Sequence, residues 1–334
     1  MHESLLLSRR DLEEVLDFPS VIGAVEEAFR AEHRKEWDTP KRIVARTRAG
    51  GLLAMPAGGG SPEALGAKLV TTFPGNAAFS KPSVAGLYAL FDPESGVPLS
   101  VMDGGYLTLV RTAAVSALAT RLLSRPEART LGVLGAGAQA EIHARLIASV
   151  RPIDTVVVWA RRRESAEALV ASLRARHDLR QVSSWTAAAT PEAAAECDVV
   201  VTASGANEPV LFGRWLREGA HVNPIGTHTP LTREIDTEAV SRASVLVVET
   251  RDTLLEAGDF QMAEREAGGV VDRVVTLGSL VDALPPASSS GRPSIITIFK
   301  SCGVAFEDLA VASLAFARAK KAGLGARFPF DGAA

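Results

Sequence analysis

A glycine-rich turn between an apolar run and a helical pattern is the feature that most constrains the fold of this chain. The run from Leu131 to Leu134 ends at Gly135, Gly137 and Ala140, after which apolar residues recur at helical spacing. Dinucleotide-binding folds need this order, because Gly135 makes the tight turn, Gly137 lets the backbone approach a pyrophosphate, and the small Ala140 lets helix and strand pack closely. The phosphates would then lie on the free N–H groups at the helix N-terminus.

Composition excludes several classes of partner. A chain of 334 residues is long enough for two domains, and its formal net charge of -3 offers no basic surface for nucleic acid. No apolar run reaches the ~20 residues that a membrane span requires, and the N-terminus lacks a signal-peptide core. The two cysteines, Cys197 and Cys302, are too few for a disulfide framework and lack metal-ligand spacing. We therefore expect a cytoplasmic protein without a metal site that binds neither nucleic acid nor a membrane.

Two segments with different patterns predict two domains. Up to residue 124, alternating apolar residues punctuated by Gly and Pro indicate an antiparallel sheet, which with the flanking helices forms an α+β N-terminal domain. Over residues 125–303, short strands alternate with helices, which predicts an α/β fold with a Rossmann-type doubly wound parallel sheet. A last helix, within residues 304–334, is expected to return to the first domain. The polar stretch 285–293 is expected to form an exposed loop.

An arginine cluster follows the second strand of the predicted parallel sheet. Arg161, Arg162 and Arg163 lie roughly 25 residues beyond the glycine turn, where an NAD-specific enzyme usually carries an acid for the ribose 2′-hydroxyl. Cations at a helix start are unfavourable unless an anion binds there, although a solvated helix start is the alternative. We predict NADPH rather than NAD as cofactor, with Arg161 and Arg162 on its 2′-phosphate. Because ligands bind at the carboxyl ends of parallel strands, four positions should share one rim: Gly135, Arg161, Thr202 and Gly226.

Three cations in the first domain lie in or beside apolar segments. Arg42, Lys68 and Arg111 would each be costly to bury without a counter-charge, and few acids are nearby in the sequence. Together they predict a pocket for a substrate carboxylate, for which the bidentate fork of arginine is well suited. For Lys68 the alternative is a surface-facing position on an edge strand.

The residues along nearly the whole chain resemble the ornithine cyclodeaminase and mu-crystallin superfamily. The segments that carry this resemblance are Pro40–Arg42, Met55–Pro56, Gly66–Thr71, Met102–Gly104, Arg111–Ala117, Leu134–Gln139, Ile225–Gly226 with Pro230, Phe299–Ser301 and Glu307–Asp308. The resemblance implies a homodimer formed through the N-terminal domain and a substrate α-carboxylate held by Arg42, Lys68 and Arg111. It also implies a cofactor site in which the glycine turn (Gly135, Gly137, Ala138) is accompanied by Thr112, Gln139, Thr202, Ala203, Ser204, Val222 and Ser301.

Two positions depart from the cyclodeaminases that the chain resembles. Those enzymes carry an aspartate in the loop after the Gly226 strand, where it helps to activate water, and this position aligns with His228. They also place an acid just before the Met-Pro pair, whereas Leu53 and Ala54 precede Met55 here. His228 can act as an acid or base near neutral pH, or it can simply point outward from the loop. These departures count against ornithine cyclodeamination.

The preferred hypothesis is an NAD(P)H-dependent reductase of small imines that bear an α-carboxylate, such as cyclic ketimines of the 1-pyrroline-2-carboxylate type. Lys68 or His228 would supply the modest acid catalysis that such a reaction needs. The alternatives within enzymes are an ornithine cyclodeaminase and an alanine-type amino-acid dehydrogenase. An alternative from a different functional class is a non-catalytic NADP-binding protein of the mu-crystallin type. The presence of Lys68 together with Arg42 and Arg111 argues against it.

Overall fold

The computed structural model describes residues 3–79, 81–283 and 294–330. The chain divides into two compact units, one formed by residues 1–111 with 304–334 and the other by residues 112–303. The sequence pattern predicts the boundary after residue 124, whereas this division falls at Arg111, inside a helix. The predicted loop at 285–293 and the last residues of the predicted closing segment, 331–334, lie outside the described residues.

The described residues form the following elements. The helices are α1 (Arg9–Val15), α2 (Phe18–His33), α3 (Gly104–Leu123), α4 (Ala138–Val150), α5 (Arg163–Arg174), α6 (Pro191–Ala195), α7 (Thr237–Arg242), α8 (Gly258–Ala267), α9 (Leu277–Ala283) and α10 (Ala305–Ala322). The strands are β1 (Glu3–Leu7), β2 (Trp37–Asp38), β3 (Ile43–Arg46), β4 (Gly51–Gly59), β5 (Ala64–Thr72), β6 (Val84–Phe91), β7 (Pro98–Asp103), β8 (Thr130–Leu134), β9 (Thr155–Trp159), β10 (Ser184–Ala187), β11 (Val199–Thr202), β12 (His221–Pro224), β13 (Val245–Val248), β14 (Val274–Thr276), β15 (Thr297–Lys300) and β16 (Ala326–Pro329).

The first unit is built on an eight-stranded mixed sheet with the order β16-β1-β7-β6-β5-β4-β2, in which β3 also pairs with β4. Strands β4 to β7 are antiparallel, as the alternating pattern predicts, but β1 runs parallel to β7 and antiparallel to β16. Helix α10 packs on the inner face of β4, β5 and β6 and also contacts α2. Its Phe306 makes an edge contact with Phe29 and stacks on Trp37. Helix α10 therefore covers the inner face of this sheet at β4, β5 and β6.

The outer face of the same sheet is apolar and partly exposed. Leu52, Leu65 and Leu87 alternate with inward-facing residues and keep 40%, 40% and 39% of their surface exposed. Contiguous apolar surface of this kind is unusual on a monomer and typically marks an interface.

Helix α3 begins at Gly104. The carboxylate of Asp103 accepts a hydrogen bond of 2.6 Å from the backbone N–H of Tyr106, which satisfies one of the free donors of the first turn. Arg111 and Thr112 consequently lie in the middle of α3, and both are buried.

The second unit contains an eight-stranded sheet with the order β10-β9-β8-β11-β12-β15-β13-β14, and every pair in it is parallel. Both faces of the sheet are covered, since Val199 and Val201 of β11 belong to one hydrophobic cluster and Val200 to the other. The predicted α/β fold with a doubly wound parallel sheet is confirmed. Among the described residues, no helix has the length and apolar character needed to cross a membrane.

Candidate active site

A cluster of four charged side chains lies buried on the inner face of the first unit's sheet. Lys68 Nζ is 2.7 Å from Asp308 Oδ2, and Arg111 Nε donates a hydrogen bond of 3.0 Å to Asp308 Oδ1. Arg111 Nη1 donates a further bond of 2.7 Å to Glu307 Oε2. None of the four side chains is more than 6% exposed. The cluster thus pairs two cations with two anions in a setting where an uncompensated charge would be costly.

The inference drawn from the few acids nearby in the sequence, that Lys68 and Arg111 lack a counter-charge within the protein, is wrong. Glu307 and Asp308 lie far along the chain but in the first turn of α10, which packs on β5. The alternative of an edge position for Lys68 is also wrong, because β5 lies between β4 and β6 and Lys68 is 2% exposed. The acids were present in the sequence, but only the packing of α10 on the sheet brings them to the cations.

The buried setting changes the proton affinity of Lys68. Its pKa is lowered to about 8, first because burial disfavours the ammonium and second because the charge of Arg111 is close, while Asp308 and Glu307 oppose both effects. Lys68 is therefore mostly an ammonium at neutral pH but can exchange its proton near that pH, which is a common property of catalytic groups.

Arg42 lies at the level of Lys68 in the sheet, two strands away. Arg42 directly precedes β3, and the next residue, Ile43, is opposite Ala54 of β4. Arg42 is therefore level with Met55, and Met55 is opposite Lys68 of β5. Adjacent strands are about 4.8 Å apart, which puts roughly 10 Å between the backbones of Arg42 and Lys68. By the alternation of β3, Arg42 is on the same face as Lys68, and it is only partly buried.

Tyr88 belongs to the same row, and sequence reasoning did not single it out. It is opposite Lys68 in β6 and is fully buried, yet its hydroxyl has no hydrogen-bond partner among the described residues. Burial, together with the charge of Asp308, raises the pKa of Tyr88 well above its usual value, so the phenol stays protonated. A side chain at Gly66 would bring its Cβ to 2.6 Å from the Tyr88 oxygen, which explains the glycine there.

In the second unit, the predicted rim of strand ends is brought together. Beyond the last residues of β8, β9, β11 and β12, backbone hydrogen bonds continue the ladder: Gly135 N–H donates to Trp159 O at 2.8 Å, Ala203 N–H to Leu134 O at 2.8 Å, and Ile225 N–H to Thr202 O at 3.0 Å. The turns after these strands therefore form one continuous edge.

The glycine turn has the geometry that a dinucleotide requires. Gly135 has a φ of 135°, and a Cβ there would be 2.2 Å from Ala203 O. Gly137 caps α4 without a side-chain hydrogen bond and faces open space, and Ala138 next to it is exposed. Gln139 Oε1 is buried without a hydrogen-bond partner among the described residues. An anion on the N-terminus of α4 fits this arrangement.

The three arginines after β9 differ in their surroundings. All are exposed at the start of α5, but Arg163 Nε is paired with Glu167 at 2.8 Å. The guanidinium groups of Arg161 and Arg162 have no such partner in the part of the chain that the structure describes. These two arginines are thus the ones available for an anionic ligand.

Two buried glutamates bind several of the predicted cofactor residues. Thr202 and Ser204 donate their hydroxyls to Glu234, at 2.8 Å and 2.5 Å, and Ser301 donates its hydroxyl to Glu249 at 2.6 Å. Both glutamates are fully buried, and sequence reasoning missed both. Glu249 could have been found, because it directly follows the apolar strand β13. A charged residue in or beside an apolar segment is the same pattern that singled out Lys68.

The remaining predicted residues lie in contrasting environments. Val222 is fully buried in the hydrophobic core of the second unit, in the middle of the sheet. His228 is exposed in the loop after β12, next to the buried Thr227. Thr112 follows Arg111 in α3 and is buried.

The sequence as a whole matches a known family. A family model described as the ornithine cyclodeaminase/mu-crystallin family matches residues 2–323. The chain belongs to this family. Mouse (Mus musculus) ketimine reductase mu-crystallin is 39% identical over 274 residues, which cover 82% of each protein.

Two solved structures of this family are similar over almost the whole chain. Thermococcus litoralis Δ1-pyrroline-2-carboxylate reductase, in complex with NADH and L-proline, superposes with a TM-score of 0.89 at 32% identity, covering 96% of this chain and 99% of that one. A dimeric archaeal alanine dehydrogenase with bound NAD has a TM-score of 0.89 at 30% identity, with coverages of 98% and 100%. The resemblance inferred from the sequence motifs is confirmed.

Proposed function

We propose that this protein uses NADPH to reduce small imines that bear an α-carboxylate, cyclic ketimines of the 1-pyrroline-2-carboxylate type in particular, to the amino acid. The observation that carries the proposal is the buried cluster in which Lys68, with its lowered pKa, shares Asp308 with Arg111. The similarity of the chain to a ketimine reductase and to a pyrroline-carboxylate reductase supports the same reaction class.

The cluster suits an imine with a carboxylate because its own charges already balance. The carboxylate would be held by Arg42, Lys68 and Arg111, and the positive charge of a protonated imine would keep the complex close to neutral. When bound, the reduced nicotinamide supplies a hydride to the imine carbon. An unprotonated imine nitrogen also needs one proton, which the Lys68 ammonium can donate and then regain from solvent. His228 is a second candidate for this proton transfer.

The cofactor would be held by the second unit. Its pyrophosphate would lie on the N-terminus of α4 at Gly135, Gly137, Ala138 and Gln139, and Arg161 with Arg162 would bind the 2′-phosphate of NADPH. The two arginines without partners favour NADPH, although both solved relatives described above contain NAD(H).

We further propose that the protein is a homodimer formed through the outer face of the first unit's sheet. The exposed Leu52, Leu65 and Leu87 provide the apolar surface. With two free cysteines, the cytoplasm is the proposed location.

A second candidate is an alanine-type amino-acid dehydrogenase, which the similarity to the archaeal alanine dehydrogenase favours. It differs from the first in using a 2-oxo acid and ammonia in place of a preformed imine. A cyclodeaminase is less favoured because Leu53, rather than an acid, lies near Met55 and would leave a substrate's distal ammonium without a partner.

A single substrate panel distinguishes these activities. We expect stoichiometric NADPH oxidation, followed by absorbance, with a cyclic imine carboxylate, and slower oxidation with 2-oxo acids plus ammonia or methylamine. In a parallel arm with ornithine and catalytic NAD, we expect no appreciable ammonia release over hours. Efficient proline formation from ornithine would instead establish cyclodeamination, and cofactor binding without turnover of any substrate would establish a binding protein.

The pKa of Lys68 predicts an alkaline limit to activity. Because the ammonium form predominates below pH 8 and is lost above it, kcat/KM for imine reduction should fall as the pH rises through about 8. The inhibition constant of the product amino acid, whose carboxylate does not titrate in this range, should rise over the same interval. An inhibition constant that stays level up to pH 9.5 would show that Lys68 does not bind the carboxylate as an ammonium.

A further inference from the structure

Glu234 is a fully buried carboxylate that accepts four hydrogen bonds from two neighbouring turns. From the turn after β11, Ser204 donates its N–H at 2.7 Å and its hydroxyl at 2.5 Å to Oε1, and Thr202 donates its hydroxyl at 2.8 Å to Oε2. From the turn after β12, Gly226 donates its N–H at 2.6 Å to Oε2. One side chain therefore links the two turns at the rim of the parallel sheet.

Gly226 is a glycine because of this carboxylate. A Cβ at position 226 would lie 2.3 Å from Glu234 Oε1 and 2.6 Å from Oε2, closer than any side chain can approach without moving the carboxylate. The φ angle of Gly226 is not in the left-handed region, so backbone conformation does not demand glycine there. The requirement comes from the space that Glu234 occupies.

Glu234 is itself held by a second buried acid. Asp259 accepts the N–H of Glu234 at 2.7 Å and the N–H of Ile235 at 3.0 Å. Asp259 is also paired with Lys300 at 2.9 Å, and Lys300 Nζ donates to Thr227 O at 2.6 Å. Although burial disfavours its ammonium, Asp259 raises the pKa of Lys300, which stays charged. Both ends of the loop that carries His228 are thus fastened by buried charges.

We propose that Glu234 is a positioning residue of the dinucleotide site, holding the turns at Thr202–Ser204 and Gly226 in the shape that receives the cofactor. This inference rests on the proposed function, since it needs a nicotinamide dinucleotide at this rim. The hydroxyls of Thr202 and Ser204 serve Glu234, so these residues act on the cofactor through the shape of their turn.

Two substitutions disturb the same carboxylate by different means. Glu234→Gln replaces one acceptor oxygen with an amide NH2, which must face a donor on one of the two turns. Gly226→Ala leaves Glu234 chemically intact but displaces it with a Cβ. Because each change costs a hydrogen bond to a charged acceptor, each should raise the dissociation constant of NADPH, measured by fluorescence titration, by about tenfold or more.

Their combination and the cofactor-free protein provide further readouts. The double variant should have about the same dissociation constant for NADPH as the single variant that binds more weakly, because both changes break the same contact. In the protein without cofactor, amide exchange at Ser204 or Gly226 should accelerate in both single variants.

Asp236→Ala is the matched control for lost stability. Asp236 also accepts two backbone N–H groups, from Gly213 and Ala239, but both bonds go to one oxygen, the second of them caps α7, and neither donor belongs to the turns after β11 and β12. This variant should melt at a lower temperature and bind NADPH as the unmodified protein does. A dissociation constant within twofold of normal for Glu234→Gln and Gly226→Ala, or an equal rise for Asp236→Ala, would overturn the inference. Failure of the unmodified protein to bind NADPH or NADH would instead refute the proposed function itself.

Discussion

Replacing Lys68 with methionine should lower kcat/KM for imine reduction by at least about a hundredfold. The substitution removes a cation from the proposed carboxylate pocket and the proposed proton donor for the imine nitrogen, and even a small displacement of a substrate costs about that factor. Steady-state kinetics with a cyclic imine carboxylate and saturating NADPH measures the effect. Arg111→Ala should cause a comparable loss, because Arg111 is proposed to hold the same substrate carboxylate and it shares Asp308 with Lys68.

The structure adds a stability cost that the sequence did not indicate. Removing Lys68 leaves Asp308 Oδ2 buried beside a methyl group, and breaking a buried pair on one side typically costs about 3–5 kcal/mol in the free energy of unfolding. Without Lys68, Arg111 alone faces two carboxylates, and the matched control is therefore the double variant Lys68→Met with Asp308→Asn, which also removes this excess negative charge. Its melting temperature should recover relative to Lys68→Met, while its activity should not. Near-normal turnover in either variant would show that Lys68 has only a structural role.

Replacing Arg161 and Arg162 together with alanine should raise the KM for NADPH by at least about a hundredfold and leave the KM for NADH within about twofold. Each charge-assisted contact to a phosphate contributes about 1.5–3 kcal/mol, and NADH lacks the 2′-phosphate. Because both arginines are exposed and unpaired within the described residues, their loss should not change the melting temperature.

Arg163→Ala is the matched control for this experiment. It removes the same charge from the same helix start, but Arg163 is already paired with Glu167. Its KM for NADPH should therefore change little. If the unmodified protein prefers NADH, or if Arg163→Ala has the same effect as the double variant, the assignment of the 2′-phosphate to Arg161 and Arg162 is wrong.

The sequence by itself determined the two architectures and the cofactor turn. The alternation of β4 to β7, the strand-helix repeats after residue 124 and the glycines at 135 and 137 are local patterns, and hydrogen bonding and side-chain periodicity within a short window dictate what they form. The same reasoning singled out Lys68, because a cation in an apolar strand must find a counter-charge. The strand β16 and the parallel pairing of β1 with β7 were not predicted, since they join distant parts of the chain.

Only the tertiary structure decided which charges meet. The carboxylate of Asp308 compensates the charges of Lys68 and Arg111, and that of Glu234 joins the turns of Thr202 and Gly226. The spacing of these residues along the chain does not predict either contact. A buried charge requires a counter-charge, and this requirement can be inferred from the sequence. Which residue supplies the counter-charge depends on which helix or loop packs over the buried charge. At Gly226, the folded chain shows that the carboxylate of Glu234 fills the space a side chain would need.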